Sequence, residues 1–271
     1  ARRRRTRSES LLGSLWRAAH KQELTKAQRQ NVLLNFFLIV PVARQMEEEG
    51  FSLIHAQYAD SASSLALLAS MLLEIPFSFT AHAYDIFTPQ VIFEEKLKRA
   101  CFIVTCTRYN RDYLLQNYGE LVGDKILVNY HGLDLTRLQP VARIKQEPPV
   151  ILSVGRLVPK KGLGVLLHAC KILDDQGVAF KCLIVGDGPE RASLERLARE
   201  TGARATFVGR VPRDRALAWI AAADRLVHSS EAEGAPTVVR EARALGVPVL
   251  ATAVGDVAAW AAEDDGIELV R

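Results

Sequence analysis

The chain has 271 residues, of which 49% are hydrophobic and 24% are charged, and its formal net charge is +4. This composition indicates a globular protein that is long enough for two domains. The longest apolar run, Val32 to Val42, is shorter than the roughly 20 residues that cross a bilayer, which excludes a membrane span there. We expect a buried helix or strand at this run.

Positive charge is concentrated at the amino terminus, where ARRRRTRSES contains five arginines and one glutamate. Such a run is typical of a solvated arm, and it also suits a surface that meets anionic lipid or a phosphorylated acceptor. No aromatic residues are interleaved with it, so nucleic acid is not indicated as a partner. No secretory apolar segment follows. We expect a cytoplasmic protein that can attach peripherally to the inner face of the membrane.

The cysteines predict neither a disulfide framework nor a metal site. None of them forms a C-x-x-C pair, and reduced core thiols are expected at Cys101, Cys106, Cys170 and Cys182. No Cys or His stands at the spacing of zinc ligands, and no Asp-x-Asp is present to bridge a diphosphate through a metal. We therefore expect no metal and no cofactor.

Short apolar strands alternate with helical segments throughout the chain. In the first half, strands are predicted over 51–57, 77–83, 101–107 and 126–134, and helices over 61–73, 93–100 and 108–119. In the second half, strands are predicted over 150–157, 180–188, 205–211, 224–230 and 247–252, and helices over 162–176, 189–201, 213–222 and 236–245. This alternation implies parallel sheets with helices on both faces.

The polar, proline-bearing stretch VARIKQEPPV interrupts the alternation. We predict an α/β protein with two doubly wound Rossmann-like domains that face a cleft: a first domain over 1–140, a linker over 141–149 and a second domain over 150–271. In such sheets ligands bind beyond the carboxyl ends of the strands. The chemically interesting residues of both halves stand at those ends.

The most informative motif contains two glutamates, Glu233 and Glu241, with seven residues between them. The turn after the first glutamate opens a helix, and the backbone N–H groups around Ala235, Pro236 and Thr237 suit a phosphate. A carboxylate on either side of that phosphate can accept hydroxyl groups. The motif therefore predicts a nucleotide-sugar site, which holds a sugar, a diphosphate and a ribose.

A basic loop follows the first strand of the second half. Gly155 lets the backbone approach a ligand, Arg156 offers a planar fork for phosphate oxygens, and Lys161 adds a point charge. Taken alone, the segment is as typical of an exposed basic loop as of a phosphate site. Together with Glu233 and Glu241, it favours a diphosphate site.

Two later strand ends carry weaker signals. Gly186, in the sequence Gly-Asp-Gly, permits a tight turn against a ligand, and an ordinary strand-to-helix turn is nearly as good an interpretation. Backbone groups at Arg210 or Val211 could read the edge of a nucleobase, which the sequence leaves open.

In the first half, His82 follows an apolar strand. A histidine at a strand end that faces a cleft can donate a hydrogen bond to a sugar hydroxyl or stabilise charge, and a structural histidine is the alternative. Asp85, His131 and Gly132 are candidates for the acceptor side, with the glycine as a position of close approach. His55 is expected to be structural or on the acceptor side.

Together these segments resemble the family 4 glycosyltransferases of the GT-B fold. The resemblance runs from about residue 55 to about residue 255, on SFTAHAYDIF, CTRYNRDYL, VNYHGLD, VGRLVPKKGL, LIVGDGPE, FVGRVPRD and EAEGAPTVVREARALGVPVLAT. The form SFTAHAYDIF is similar to the branch that builds exopolysaccharide, capsule or lipopolysaccharide.

The resemblance implies a role for each site residue. Arg156 and Lys161 would hold the diphosphate of a UDP- or GDP-sugar, and Glu241 would take the ribose hydroxyls. Glu233 would contact hydroxyls of the transferred sugar, and His82 would lie near the reaction centre. The family retains the anomeric configuration without a metal and uses a glycan or lipid-linked acceptor.

Some features depart from the family pattern. No Gly-rich loop precedes residue 50, and the chain stops soon after the strand over 247–252, which implies a fragment that is incomplete at both ends. TAVGDVAAW, at 252–260, replaces the commoner Gly-Gly followed by Glu. Two alternatives stay open: a nucleotide-sugar 2-epimerase of the same fold, and a truncated non-catalytic protein that binds a nucleotide sugar.

Overall fold

A computed structural model describes residues 25–82, 84–88, 90–138 and 147–270. The basic segment at residues 1–10 lies outside these ranges, as do residues 141–146 of the expected linker. The chain divides into two compact units, of which the first ends at Tyr130 and the second begins at His131. This division precedes residue 140, the expected domain end, and the buried Leu138 packs in the core of the second unit.

The first unit contains a four-stranded parallel sheet in the order β1-β2-β3-β4. Its elements are α1 (Lys26–Glu49), β1 (Ile54–Gln57), α2 (Ser61–Leu73), β2 (Phe77–Ala81), α3 (Tyr84–Phe87), α4 (Phe93–Arg99), β3 (Ile103–Thr105), α5 (Arg108–Val122) and β4 (Ile126–Val128). Side-chain caps start two of the helices: Asp60 accepts a hydrogen bond from Ala62 N, and Thr107 accepts one from Asn110 N. The sheet and helices enclose one apolar core.

The apolar run over 32–42 lies within helix α1 and is only partly buried. Ile39 and Ala43 are buried, whereas Leu34, Phe37 and Leu38 are 57%, 72% and 56% exposed. Residues four apart lie on one face of a helix, so the buried Ile39 and Ala43 share a face of α1. The expectation of a buried run was therefore wrong for these exposed side chains. Among the described residues, no helix is both long and apolar enough to cross a bilayer.

The second unit contains a six-stranded parallel sheet in the order β10-β9-β8-β5-β6-β7. Its strands are β5 (Val150–Val154), β6 (Lys181–Val185), β7 (Ala205–Gly209), β8 (Arg225–His228), β9 (Val249–Thr252) and β10 (Ile267–Val270). Its helices are α6 (Leu163–Asp175), α7 (Arg191–Thr201), α8 (Arg213–Ala222), α9 (Thr237–Ala244) and α10 (Val257–Glu263). The order reverses at β5, which pairs with both β6 and β8.

Alternation along β6 divides the core of the second unit into two layers. Cys182 and Ile184 pack with residues of α6 and α7, whereas Leu183 and Val185 pack with residues of α8, α9 and α10. Successive side chains of a strand point to opposite faces of the sheet, so helices cover both faces. The predicted doubly wound arrangement is confirmed.

Element types agree with the sequence predictions, but several ends differ. The helix predicted over 108–119 continues to Val122, past non-helical backbone angles at Tyr118. Gly123 caps it, and the Gly123 N–H donates to the Gly119 carbonyl. The chain beyond residue 252, for which no element was predicted, forms α10 and β10.

The cysteines are free thiols, and three of them are buried. Cys101 is exposed, so the expectation of a core position was wrong there. The reason is that β3 begins only at Ile103, two residues after the cysteine. Cys101 Sγ donates a hydrogen bond to the Phe77 carbonyl at 3.1 Å.

The loops at the carboxyl ends of β5 and β6 approach each other through glycine. Gly186 has φ of +139°, and a Cβ built there would lie 1.8 Å from the Gly155 carbonyl oxygen. A Cβ at Gly188 would lie 2.3 Å from the Leu157 carbonyl oxygen. Only glycine is compatible with this packing, because the contacted atoms belong to the backbone.

We predict that Gly186→Ala destabilises the second unit by about 2–4 kcal/mol, because it combines steric overlap with a strained φ. Urea unfolding followed by tryptophan fluorescence measures this, since Trp219 and Trp260 lie in the second unit. Gly132→Ala is the control, because a Cβ there meets no atom within 4 Å. Equal stability of the two variants would contradict the prediction.

Candidate functional site

A cavity of about 550 Å³ lies at the carboxyl ends of β5, β6 and β7. The volume is typical of small-molecule sites, and the position is the one that doubly wound sheets use for ligands. Five predicted donor-binding residues line it: Gly155, Arg156, Gly186, Arg210 and Val211. The structure thus brings together residues that are up to 56 positions apart in the sequence.

Glu233 forms an ion pair with Lys161 at the same sheet edge. Its Oε1 lies 2.7 Å from Lys161 Nζ and 3.4 Å from Lys160 Nζ. Burial opposes the charged carboxylate, but the close contact with Lys161 and the charges of both lysines outweigh it, so the pKa of Glu233 is lowered. Glu233 is therefore a carboxylate at neutral pH.

The backbone fixes the turn that carries Glu233. The N–H of Asp256 donates to the Gly234 carbonyl at 2.8 Å, and a Cβ at Gly255 would lie 2.1 Å from that oxygen. The segment TAVGDVAAW, which departs from the family pattern, thus packs directly against the glutamate turn. Its glycine permits the close approach.

Glu241 lies on helix α9, which begins at Thr237 with Pro236 at its N-cap. Burial raises the pKa of Glu241, and the hydrogen bond and charge of Arg213 oppose that shift. Arg213 Nη2 lies 2.8 Å from Glu241 Oε1. Arg213 was not among the predicted site residues, although a basic residue at the start of the helix after Arg210 and Val211 was a signal for it.

His228, at the end of β8, is a second residue that the sequence analysis left without a role. It is 4% exposed, and burial together with the charge of Lys161 lowers its pKa to about 4. With Lys161 and Ser230 it lines a cavity of about 10 Å³, the size of one water molecule. The carboxyl end of β8 thus presents a neutral imidazole to the ion pair of Glu233.

In the first unit, the surroundings of His82 hold it in place. Its Nδ1 lies 3.3 Å from Cys106 Sγ and its Nε2 lies 3.4 Å from Gln57 Oε1. The ring lies 4.4 Å from the ring of Tyr58, and the His82 carbonyl accepts a hydrogen bond from Asn110 Nδ2. His82 is half-buried, and burial raises the pKa of Cys106, which keeps the neighbouring thiol protonated.

Asp85 is 2% exposed and organises the backbone around His82. Its Oδ1 accepts the His82 N–H at 2.9 Å, and its Oδ2 accepts the Ala59 N–H at 2.6 Å. Lys96, which is fully buried on α4, donates to the carbonyls of Ala59 and Asp60 at 2.8 and 2.6 Å. Because Asp85 is buried and each of its oxygens accepts a backbone N–H, its contacts are those of a structural residue that supports His82.

Burial lowers the pKa of Lys96 to about 7, against the charges of Asp60 and Asp85. The sequence contained a signal for this lysine, because Phe93, Lys96 and Leu97 share the buried face of α4.

The remaining acceptor-side candidates have simpler surroundings. His55 Nδ1 and Nε2 lie 2.7 Å from Ser78 Oγ and 2.9 Å from Thr80 Oγ1, which is a structural arrangement. The His131 carbonyl accepts a hydrogen bond from Arg240. Gly132 is exposed and a Cβ there meets nothing within 4 Å, so no atom of the chain requires a glycine there.

Two family models together match nearly the whole chain. The model described as glycosyl transferases group 1 matches residues 136–266, and the model described as glycosyltransferase family 4 matches residues 13–137. The chain belongs to the group 1, family 4 glycosyltransferases.

Curated relatives of this glycosyltransferase chain include two bacterial proteins. It is 31% identical over 218 residues to a putative teichuronic acid biosynthesis glycosyltransferase of Bacillus subtilis, covering 76% of this chain and 54% of that protein. It is 36% identical over 138 residues to a putative colanic acid biosynthesis glycosyltransferase of Escherichia coli, covering 48% and 34%. The chain thus spans about half the length or less of these two relatives.

Solved structures show the same GT-B fold. Sucrose-phosphate synthase from Thermosynechococcus elongatus superposes with a TM-score of 0.66 and 23% identity, covering 86% of this chain and 64% of that one. Anabaena HepE, in complex with UDP and glucose, superposes with a TM-score of 0.62 and 22% identity, covering 82% and 64%. At these identities the likeness concerns the fold.

We predict that acidification destabilises the second unit through His228. The unfolded state binds a proton below about pH 6.5, whereas the buried ring does so only near pH 4, so stability falls between these values as pH falls. The loss at pH 4.5 is about 2–3 kcal/mol, since each pKa unit is worth about 1.4 kcal/mol.

Urea unfolding at a series of pH values, followed by tryptophan fluorescence, measures this loss. In His228→Gln, which has no titrating ring, the slope between pH 6.5 and 4.5 should be much smaller. Because the other titrating groups are the same in both proteins, the difference between the two slopes gives the contribution of His228 to the pH dependence of stability. The same slope in both proteins would assign the effect elsewhere.

We also predict that Asp85→Ala destabilises the first unit by about 3–5 kcal/mol. The backbone N–H groups of Ala59 and His82 would lose their acceptor, and the buried Lys96 would lose a neighbouring negative charge. Amide hydrogen exchange in the first unit measures the change. Asp112→Ala is the matched control, because the Asp112 side chain is 61% exposed and pairs with Arg111 at the surface. A loss no larger than the control's would show that Asp85 is dispensable for stability.

Proposed function

We propose that this chain is part of a retaining glycosyltransferase that moves a sugar from a nucleoside-diphosphate sugar to a glycan or lipid-linked acceptor in cell-surface polysaccharide synthesis. The proposed donor is a UDP- or GDP-sugar, and the reaction uses neither metal nor cofactor. We place the enzyme in the cytoplasm, with the basic amino-terminal segment directed to the inner face of the membrane.

One observation carries the donor assignment: both glutamates of the motif have a basic partner at the carboxyl edge of one sheet. Lys161 pairs with Glu233 at 2.7 Å and Arg213 pairs with Glu241 at 2.8 Å. Arg156 lines the neighbouring cavity. The edge therefore combines hydroxyl acceptors with positive charge for a diphosphate, which is what a nucleotide sugar requires.

The names of the relatives support the polysaccharide context. The Bacillus subtilis and Escherichia coli relatives are named for teichuronic acid and colanic acid biosynthesis, and a relative in Erwinia amylovora is named for amylovoran biosynthesis. The structure of HepE holds UDP and glucose. These names favour a sugar polymer as product and UDP as one candidate nucleotide.

In the proposed reaction, the bond between the anomeric carbon and the diphosphate oxygen breaks on the face that the acceptor hydroxyl attacks. The departing diphosphate takes the acceptor proton, and the products are a glycoside and a nucleoside diphosphate. Arg156 and Lys161 stabilise the charge that grows on the diphosphate. Glu233 positions the sugar and stabilises its positive charge, and it does not serve as a nucleophile.

His82 belongs to the catalytic proposal through its chemistry and its rigid surroundings. Its ring is held by Tyr58, Cys106 and Gln57, and its backbone is held by Asp85. A positioned imidazole can donate a hydrogen bond from Nε2 to a sugar hydroxyl by exchanging its long contact, 3.4 Å, with Gln57 Oε1. Asp85 supports that role from the interior.

We predict that Lys161→Ala weakens binding of a nucleoside diphosphate about tenfold or more while leaving the nucleoside nearly unaffected, because one charge-assisted hydrogen bond to phosphate is lost. A thermal-shift panel of UDP-, GDP- and ADP-sugars first identifies the nucleotide, since a ligand that binds the folded state stabilises it. Calorimetry with that diphosphate and its nucleoside then measures the change.

Lys171→Ala is the matched control, because Lys171 pairs with Asp175 on α6 at a partly exposed position. Equal losses for nucleoside and diphosphate would contradict the phosphate assignment. A panel in which no nucleotide sugar raises the unfolding temperature would overturn the donor proposal. Transfer is measured with labelled donor, and the anomeric configuration of the product tests retention.

A further inference from the structure

The contact between Arg213 and Glu241 differs from the ion pairs that lie within single helices of the second unit. The pairs Lys171–Asp175 and Arg196–Glu200 join residues four apart on one helix, and their carboxylates are 62% and 65% exposed. Arg213 and Glu241 lie on different helices, and the Glu241 side chain is only 13% exposed. The pair therefore fixes a carboxylate that water scarcely reaches.

Glu241 gains from this partner because of its surroundings. Burial raises its pKa, and the Arg213 hydrogen bond and charge act in the opposite direction. Among the described residues, Arg213 is the cation that acts on Glu241, whereas two lysines face Glu233. The guanidinium thus acts on the ionisation of Glu241 as well as on its orientation.

Arg213 also connects Glu241 to the cavity at the sheet edge. It is the first residue of α8, and Val211 before it and Ala216 after it both line that cavity. Pro212, which has φ of −59°, is the N-cap and sets the direction in which the helix begins. Arg213 therefore reaches from the cavity rim to a carboxylate on the neighbouring helix.

The hydrogen bond from Arg213 leaves one oxygen of the Glu241 carboxylate available for a second partner. Arg213 Nη2 donates to Oε1 of Glu241. A carboxylate has several acceptor positions on two oxygens, so one oxygen can be held while the other accepts a hydroxyl. Holding one oxygen sets the direction of the other.

We propose that Arg213 is a positioning residue for the donor: it fixes the orientation and charge of Glu241 so that the free oxygen accepts a ribose hydroxyl. The inference rests on the proposed function, in which Glu241 binds the ribose. Arg213 lies outside the two-glutamate motif, so ribose recognition would also depend on this first residue of α8.

A purely structural role would have a different signature. The Arg213 side chain is 58% exposed but the Glu241 side chain is only 13% exposed, so loss of the arginine leaves a largely buried carboxylate unpaired and should lower the unfolding temperature to some extent. A purely structural effect of this kind would weaken binding of a ribonucleotide and of its dideoxy counterpart equally. The discriminating readout is the preference for a ribonucleotide over its 2′,3′-dideoxy counterpart.

The test uses the 271-residue chain with Arg213→Gln, Arg213→Lys, Glu241→Gln and the double variant Arg213→Gln/Glu241→Gln. Arg215→Gln is the matched control, because Arg215 is also exposed and lies two residues further along α8. Calorimetry measures the Kd of whichever of UDP, GDP and ADP binds the wild type most tightly, and of the dideoxy form of that nucleotide. Thermal unfolding is recorded for every variant.

We expect Arg213→Gln to weaken the ribonucleotide about five- to tenfold and to change binding of the dideoxy form less than about twofold. Arg213→Lys should recover part of the loss, because the charge returns without the planar fork. The double variant should bind about as weakly as Glu241→Gln alone, since both residues act through one carboxylate. Arg215→Gln should behave as the wild type.

Two results would overturn the inference while leaving the ribose role of Glu241 intact. One is wild-type affinity in Arg213→Gln together with weak binding in Glu241→Gln. The other is an equal loss of ribonucleotide and dideoxynucleotide in Arg213→Gln, which would assign the arginine to the phosphates or the base. If Glu241→Gln leaves the ribose preference unchanged, the ribose assignment itself fails, and this inference fails with it.

Discussion

The carboxyl edge of the second sheet depends on the ion pair of Lys161 and Glu233. Both side chains are less than a fifth exposed, so either charge alone would carry a desolvation cost that the other now offsets. A side-chain hydrogen bond and close backbone packing join the two loops at the same place: the Ser229 hydroxyl donates to the Lys161 carbonyl at 3.0 Å, and a Cβ at Gly162 would lie 2.2 Å from the Ser229 carbonyl oxygen. Charge pairing and backbone packing thus support one geometry.

The two glutamates of the motif are chemically different although they share a loop and a helix. The pKa of Glu233 is lowered because two lysines face it, whereas the pKa of Glu241 is raised because burial outweighs its one arginine. A permanently charged group is suited to stabilise positive charge on a reacting sugar. Glu241 depends on Arg213 to remain charged, and a charged carboxylate is the stronger acceptor for a hydroxyl.

The fold could be predicted well from the sequence, because alternation of strands and helices is a local property. The helices over Ser61–Leu73 and Arg213–Ala222 have the predicted bounds. The predicted strands were longer than the observed ones. Loop residues next to a strand are often apolar because they pack against the core, so an apolar pattern does not mark where the strand ends. In α1 the composition predicted burial, but a helix turns most of its surface away from a single neighbour.

The candidate site was predictable where its residues stand in a motif and not where they depend on distant partners. Glu233 and Glu241 were visible from their spacing. Lys96 lies 36 or 37 positions from the carbonyls that it contacts, and Arg213 lies 28 positions from Glu241. Such contacts follow from strand order and helix placement, which no local pattern encodes.

The glycine contacts at the carboxyl edge bear on how donor preference can change in evolution or in the laboratory. At Gly186 and Gly255 a backbone carbonyl occupies the space that a Cβ would need, so no other residue fits at these two positions. Arg210 and Val211 line the same cavity without such a constraint. Libraries aimed at a new nucleotide or sugar should therefore vary these two positions and leave the glycines fixed.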